Sequence, residues 1–118
     1  MPQEVHYDIP IDQPERAERF YSQLFGWTTQ KVPNMDYWVL RAAEGDALGG
    51  LIKRTARGQA TINYYTVPSI DEALRKVQEL GGRVVVPKTA IRRVGYNAQC
   101  ADTEGNIFGL WENDPNAR

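Results

Sequence analysis

The stretch VHYDIPIDQPERAERFYSQLFGW, residues 5–27, decides the fold. Its first seven residues alternate, with Val5, Tyr7, Ile9 and Ile11 on one face and His6 and Asp8 on the other. Period two over this length predicts a half-buried strand. Asp12 then reads as a helix N-cap, with Pro14 in the first turn and Glu15 three residues on. Ala17, Phe20, Tyr21, Leu24 and Phe25 follow at helical spacing and form one apolar stripe. Gly26 supplies the stop.

Working outward, three short extended segments are expected at about 27–32, 36–43 and 46–53, separated by Pro33-Asn34 and Glu44-Gly45-Asp46. The polar run KRTARGQ from Lys53 to Gln59 reads as a linker. The pattern then restarts. Ile62 to Val67 is a strand, Ser69 and Glu72 form a capping box, and Ala73, Leu74, Val77 and Leu80 stripe a helix ended by Gly81-Gly82. Val84–Val86, Asn97–Ala101 and Asn106–Glu112 complete the set, and 114–118 reads as a frayed tail. A shift of 56 residues lays Ile11 on Val67, Ala17 on Ala73, Leu24 on Leu80 and Gly26 on Gly82. A shift of 60 lays Glu44-Gly45 on Glu104-Gly105 and Gly49 on Gly109, so the second half carries extra residues around Pro87–Gly95.

The prediction is one α+β domain over 1–118, built from two tandem βαβββ modules at about 4–53 and 61–112. A linker at 54–60 joins them and a tail occupies 113–118. Each module buries one sheet face under its helix, and the opposite concave faces are left to form a cleft.

Composition bounds what such a cleft serves. The chain has 118 residues, enough to bury roughly two-thirds of its unfolded surface, with 42% hydrophobic and 25% charged residues, as in an ordinary globular domain. A net charge of −1 gives no electrostatic reason to expect nucleic acid or a membrane surface as partner. The single cysteine, Cys100, makes neither an internal disulfide nor a multi-cysteine metal site. It reads as a small buried strand residue. The opening residues lack a basic and then apolar leader pattern, and no apolar run approaches the roughly 20 residues that span a bilayer. A cytoplasmic location is the expectation.

The opening strand and helix, with the Asp…Ala…Phe-Tyr…Leu-Phe-Gly-Trp pattern, resemble those of the vicinal oxygen chelate superfamily. That superfamily holds glyoxalases, bleomycin-resistance proteins and extradiol dioxygenases. Asp102-Thr103-Glu104-Gly105-Asn106 is similar to the turn before its last strand. The likeness runs from about residue 4 to 112. It implies paired βαβββ modules, and commonly a homodimer. It also implies that metal-dependent members place a ligand on the first and fourth strand of each module, because a divalent ion needs three or four converging donors. Those positions fall here on His6, Gly49, Ile62 and Gly109, and a one-residue shift at Ile62 offers only Asn63. Only His6 can ligate. The resemblance thus implies the fold while the residues argue against a metal or any other cofactor. Metal-free relatives hold a small molecule without transforming it.

Strand parity then lines the expected cleft with His6, Asp8, Leu51, Lys53, Ile62, Tyr64, Thr66, Ile107 and Trp111. The complementary set, including Ile52, Leu48 and Phe108, goes under the helices. An apolar pocket with a few polar handles suits a small organic ligand. His6 either hydrogen-bonds beside Asp8 as a relic or works in the pocket, and the pair is the weak candidate for catalysis. Tyr64 and Trp111 are ligand stackers or packing contacts. Lys53, beside the linker, reads more readily as solvent-exposed, and Arg92-Arg93 more readily as an exposed basic pair in a turn than as an anion clamp. The alternative function is a metal-dependent lyase or dioxygenase with ligands from elsewhere, such as Asp8, Glu112 or a partner chain. A pure interaction module is the third.

Overall fold

Helix α1 (Pro14–Phe25) follows strand β1 (Val5–Ile11) as the alternation demands, but its cap differs from the expectation. The N-cap is Gln13, and no side chain caps the helix. Asp12 instead pairs with Arg54, Oδ1 to Nε 3.2 Å, so its carboxylate is committed to a cation rather than to the helix amides. Gly26 ends α1 in the left-handed conformation (φ 74°), its N–H donating to the Ser22 carbonyl at 2.8 Å. The five-residue stripe is only partly used. Ala17 and Tyr21 pack inward, whereas Phe20, Leu24 and Phe25 stay more than half exposed.

The computed structural model describes residues 4–118, which divide into two compact units. The first, His6–Thr61, adds β2 (Thr28–Lys31), β3 (Tyr37–Arg41) and β4 (Ala47–Lys53) to β1 and α1. Its strand order is β2-β3-β4-β1, antiparallel except that β1 and β4 run parallel. Ile11, Leu40 and Leu51 form its core, with Tyr7, Ile9, Trp27, Trp38 and Leu48 packed around them. A β-bulge interrupts β4. Leu40 pairs with Gly49 but Arg41 with Ala47, leaving Leu48 as the extra residue. Gly49 takes φ 142° there, a conformation open to glycine. Leu48 and Leu51, three residues apart, therefore both reach the core.

The expected linker is tied down. The Arg54 guanidinium donates to the carbonyls of Gln59 (2.8 Å) and Pro10 (3.3 Å) as well as pairing with Asp12. The Gln59 side-chain oxygen accepts from the Thr55 N–H at 2.8 Å.

The second unit, Ile62–Arg118 with Glu4 and Val5, contains β5 (Ile62–Thr66), α2 (Ile70–Glu79), β6 (Arg83–Ile91), β7 (Gly95–Ala101) and β8 (Ile107–Asn113). Its order is β5-β8-β7-β6, with β5 and β8 parallel. The capping at Ser69 holds: its Oγ accepts from the Glu72 N–H at 3.2 Å. A second acceptor comes from β8, where Glu112 Oε1 takes the Ile70 N–H at 2.8 Å. Ile70, Ala98, Cys100 and Leu110 make the core beneath α2, with Leu74, Val77, Tyr96 and Phe108 against it. The extra residues of this half lengthen β6, which shifts register on either side of Val86 and carries Pro87 in the second irregularity. Residues 114–118 are not frayed. Ala117 is buried, its carbonyl accepting from the Arg93 N–H (3.0 Å), and the Asp114 N–H donates to Val94 (3.0 Å).

Over the described residues the chain is thus a mixed α+β fold of eight strands and two helices, with the βαβββ order given twice, as expected.

Candidate functional site

In each unit the sheet face turned away from the packed core carries polar and aromatic side chains. In the first unit, register settles which residues share that face. Asp8 pairs with Gly50 across the β1–β4 ladder, Gly50 with Val39, and Ile52 with Tyr37. Alternation along β1 puts His6 and Pro10 beside Asp8. The Tyr37 ring lies over Gly50 so closely that a Cβ there would collide with its ring carbons and hydroxyl. The same hydroxyl donates to Asp8 Oδ1 at 3.1 Å. Burial pushes the Asp8 carboxyl up to about 6, against the downward pull of the Tyr37 hydrogen bond. Asp8 has no other hydrogen-bond partner among the described residues.

Two expected members of this face are elsewhere. Leu51 is fully buried in the core with Ile11 and Leu40. Lys53 pairs with Ile11, on the core side, and is exposed at the strand end. Ile52, expected under the helix, takes the Asp8 face. The bulge at Leu48 is the cause, because one extra residue inverts the alternation. The glycine facing Asp8 is consequently Gly50, and Gly49 pairs with Tyr7.

In the second unit, no bulge falls in β5 or β8 and the parity is regular. Tyr64 pairs with Gly109 and Thr66 with Trp111, while Phe108 and Leu110 pack inward. Ile62 and Ile107 lie on the Tyr64 face by alternation. The Tyr64 ring lies over Gly109 and the Trp111 ring over Gly95. The Tyr64 hydroxyl accepts from Gln99 Nε2 at 2.9 Å, and the Trp111 indole N–H donates to Asn113 Oδ1 at 2.8 Å. Asn97 pairs with Trp111, and Gln99 with Gly109, so both amides share the face.

Three aromatic rings therefore sit on buried glycines: Tyr37 on Gly50, Tyr64 on Gly109 and Trp111 on Gly95. Tyr37, Asn97 and Gln99 had no signal in the sequence, because each reaches its neighbour across a strand ladder whose register is set in three dimensions. Cys100 lies in the core, where burial pushes its thiol up and away from reactivity. Arg92 and Arg93 are exposed in the β6–β7 turn.

Residues 4–111 match the glyoxalase-like domain over nearly the whole chain. The chain belongs to the glyoxalase-like domain family. Among curated relatives of this glyoxalase-like chain, the protein named "Putative glyoxylase CFP32" from Mycobacterium bovis is 26% identical over 113 residues. The match takes in 89% of this chain but 43% of that protein, so the chain spans less than half the length of that curated relative. Among solved structures, methylmalonyl-CoA epimerase from Mycobacterium tuberculosis superimposes with a TM-score of 0.71 at 16% identity, covering 93% of this chain and 87% of that one. A glyoxalase/bleomycin resistance protein/dioxygenase superfamily member from Vibrio splendidus 12B01 gives 0.69 at 12% identity, covering 95% and 100%. At such identities the likeness is one of fold.

The divalent ion that the fold family implies requires three or four donors around one point. The glyoxalase-like chain offers His6 on β1, Ile62 on β5, and glycines on β4 and β8. Over Gly50 and Gly109 the space for a ligating side chain is filled by tyrosine rings. Among the described residues no group of three or more His, Cys, Asp or Glu side chains is placed to hold a metal. The residues present do not fit the ion.

Proposed function

We propose that this glyoxalase-like protein binds a small, partly aromatic organic molecule on its polar sheet faces without a metal ion. The observation that supports the reading most is the seating of Tyr37 on Gly50 and Tyr64 on Gly109. At strand positions where a metalloenzyme of this fold needs ligands, the chain instead presents aromatic surface beside a carboxylate, Asp8, and an amide, Gln99. Aromatic area with a few polar groups is how small-molecule sites are built.

A thermal-shift screen of EDTA-treated protein against a broad set of drug-like and metabolite-like compounds tests this. A true ligand at about 100 times its dissociation constant adds roughly 2.7 kcal/mol and raises the midpoint by several degrees. The expected result is at least one saturable stabiliser that acts with EDTA present. Stabilisation that vanishes with EDTA and returns with zinc, nickel, iron or manganese would favour a lyase or dioxygenase of the metal-dependent kind instead.

A further inference from the structure

Between α1 and the end of β1 the first unit holds a groove of about 320 Å³, at the small end of the range for small-molecule sites. Ile9 and Ile11 line it from β1. Both belong to the core side of that strand, so the groove opens on the face opposite Asp8 and is separate from the site described above. From α1 come Ala17, Phe20 and Tyr21, which complete an apolar wall. The Phe20 and Tyr21 rings stand at 87° to each other with centroids 5.2 Å apart. Phe20 is 58% exposed, an apolar ring that the core of its unit leaves uncovered.

Charge narrows the occupant. Arg16, Arg54 and Asp12 are the charged members of the lining, two cations and one carboxylate that leave a net +1. Glu15 and Glu18 of α1 lie outside it. Asp12 is committed to Arg54, whose guanidinium is also held by the Gln59 and Pro10 carbonyls. Those contacts occupy three of its five N–H groups and leave two on a group fixed in place. Arg16 stands one helical turn before Phe20 and pairs with no carboxylate or carbonyl among the described residues. Guanidinium forks match the geometry of a carboxylate. A dianion would also meet the Asp12 charge, and a neutral guest would leave Arg16 unanswered. The two rings favour an aromatic body over an aliphatic one.

We infer that this groove is a second binding site, for a small aryl carboxylate. The rings of the guest lie against Ile9, Phe20 and Tyr21, and its carboxylate lies at Arg16 and Arg54. The site is independent of the sheet-face reading above.

The test titrates 2-naphthoate and its neutral isostere 2-naphthamide into the nitrogen-15-labelled full chain, followed by NMR of backbone amides and arginine Nε–H groups. 2-Naphthoate shifts Ile9, Ala17 and Phe20 and the Arg16 and Arg54 side chains saturably, with a dissociation constant below about 1 mM. 2-Naphthamide binds severalfold more weakly. Arg16→Gln weakens the acid about fivefold, as the loss of one exposed charged contact does, and leaves the amide unchanged. Phe20→Ala weakens both probes. Arg16 and Phe20 are exposed, so these variants keep the fold, and unchanged resonances away from the groove verify it. Arg54 is left intact, because it holds the turn that follows β4. Absence of saturable shifts up to about 5 mM 2-naphthoate overturns the inference. So does equal binding of acid and amide, or indifference of the acid to Arg16→Gln. Shifts centred on Asp8 and Gly50 instead of α1 would overturn it as well, while supporting the sheet-face reading.

Discussion

Tyr37 and Asp8, 29 residues apart in sequence, meet through a 3.1 Å hydrogen bond over the backbone of Gly50. The bond favours ionised Asp8, yet burial prevails and holds the carboxyl at about 6. Removing the donor should push it higher. In Tyr37→Phe, the Asp8 carboxyl followed by carbon-13 NMR should titrate above the wild-type value. A midpoint at or below the wild-type value would mean that the hydroxyl does not act on the carboxylate.

The same group links stability to pH. The ordinary value for an aspartate carboxyl is 3.8 and the folded one about 6. Between these values the folded state binds more protons than the unfolded state, so protonation stabilises the fold and stability falls as pH rises through this window. Asp8→Asn keeps an acceptor for Tyr37 without the charge. It should flatten that slope and be more stable than wild type at pH 7 by roughly 1–3 kcal/mol. Urea unfolding at pH 4.5 and pH 7 measures it, and an unchanged slope would contradict the assignment.

The glycines beneath the tyrosines make a cleaner case for ring seating. Gly109→Ala places a methyl group inside the Tyr64 ring and should cost about 1–3 kcal/mol, a typical overpacking penalty. In a Tyr64→Ala background the same change should cost little, because the nearest atoms it would meet all belong to Tyr64. Additive losses in this double-mutant cycle would place the ring elsewhere. Gly95→Ala would not be rescued by Trp111→Ala, since the Glu112 carbonyl also lies in its path.

Leu51 and Ile52 test the bulge. Leu51→Ala should cost about 2–5 kcal/mol as a core deletion, and Ile52→Ala clearly less. Denaturant titration of both variants decides between this arrangement and an uninterrupted strand, which would reverse the order.

Most of the architecture was legible because burial imposes a period. Alternation across Val5–Ile11 marks β1, helical spacing marks α1 and α2, and the shift of 56 residues exposes the repeat. The errors have local physical causes. Asp12 has the chemistry of an N-cap but also lies within reach of Arg54, and no rule of spacing says which partner prevails. Polar residues from Arg54 to Gln59 look loose in composition, yet their hydrogen bonds close a turn. The short tail is docked by backbone contacts to Arg93 and Val94 that composition does not encode. At the candidate site, the regular strands β5 and β8 allowed Tyr64, Thr66, Ile107 and Trp111 to be placed on one face. The bulge at Leu48 inverted the assignments of Leu51, Ile52 and Lys53. Tyr37 escaped notice because its role depends on the ladder that sets β3 beside β4.

The central claim is that on β4 and β8, two of the four strands on which the fold family implies a cation ligand, glycines under tyrosine rings stand in place of donors. Elemental analysis by mass spectrometry of protein purified without chelator, then incubated with equimolar zinc, nickel, iron and manganese and desalted, tests it most directly. The account predicts far less than one equivalent of any of these metals, and the same trace in His6→Ala. One equivalent of a single metal in the wild-type protein, lost in His6→Ala, would contradict it.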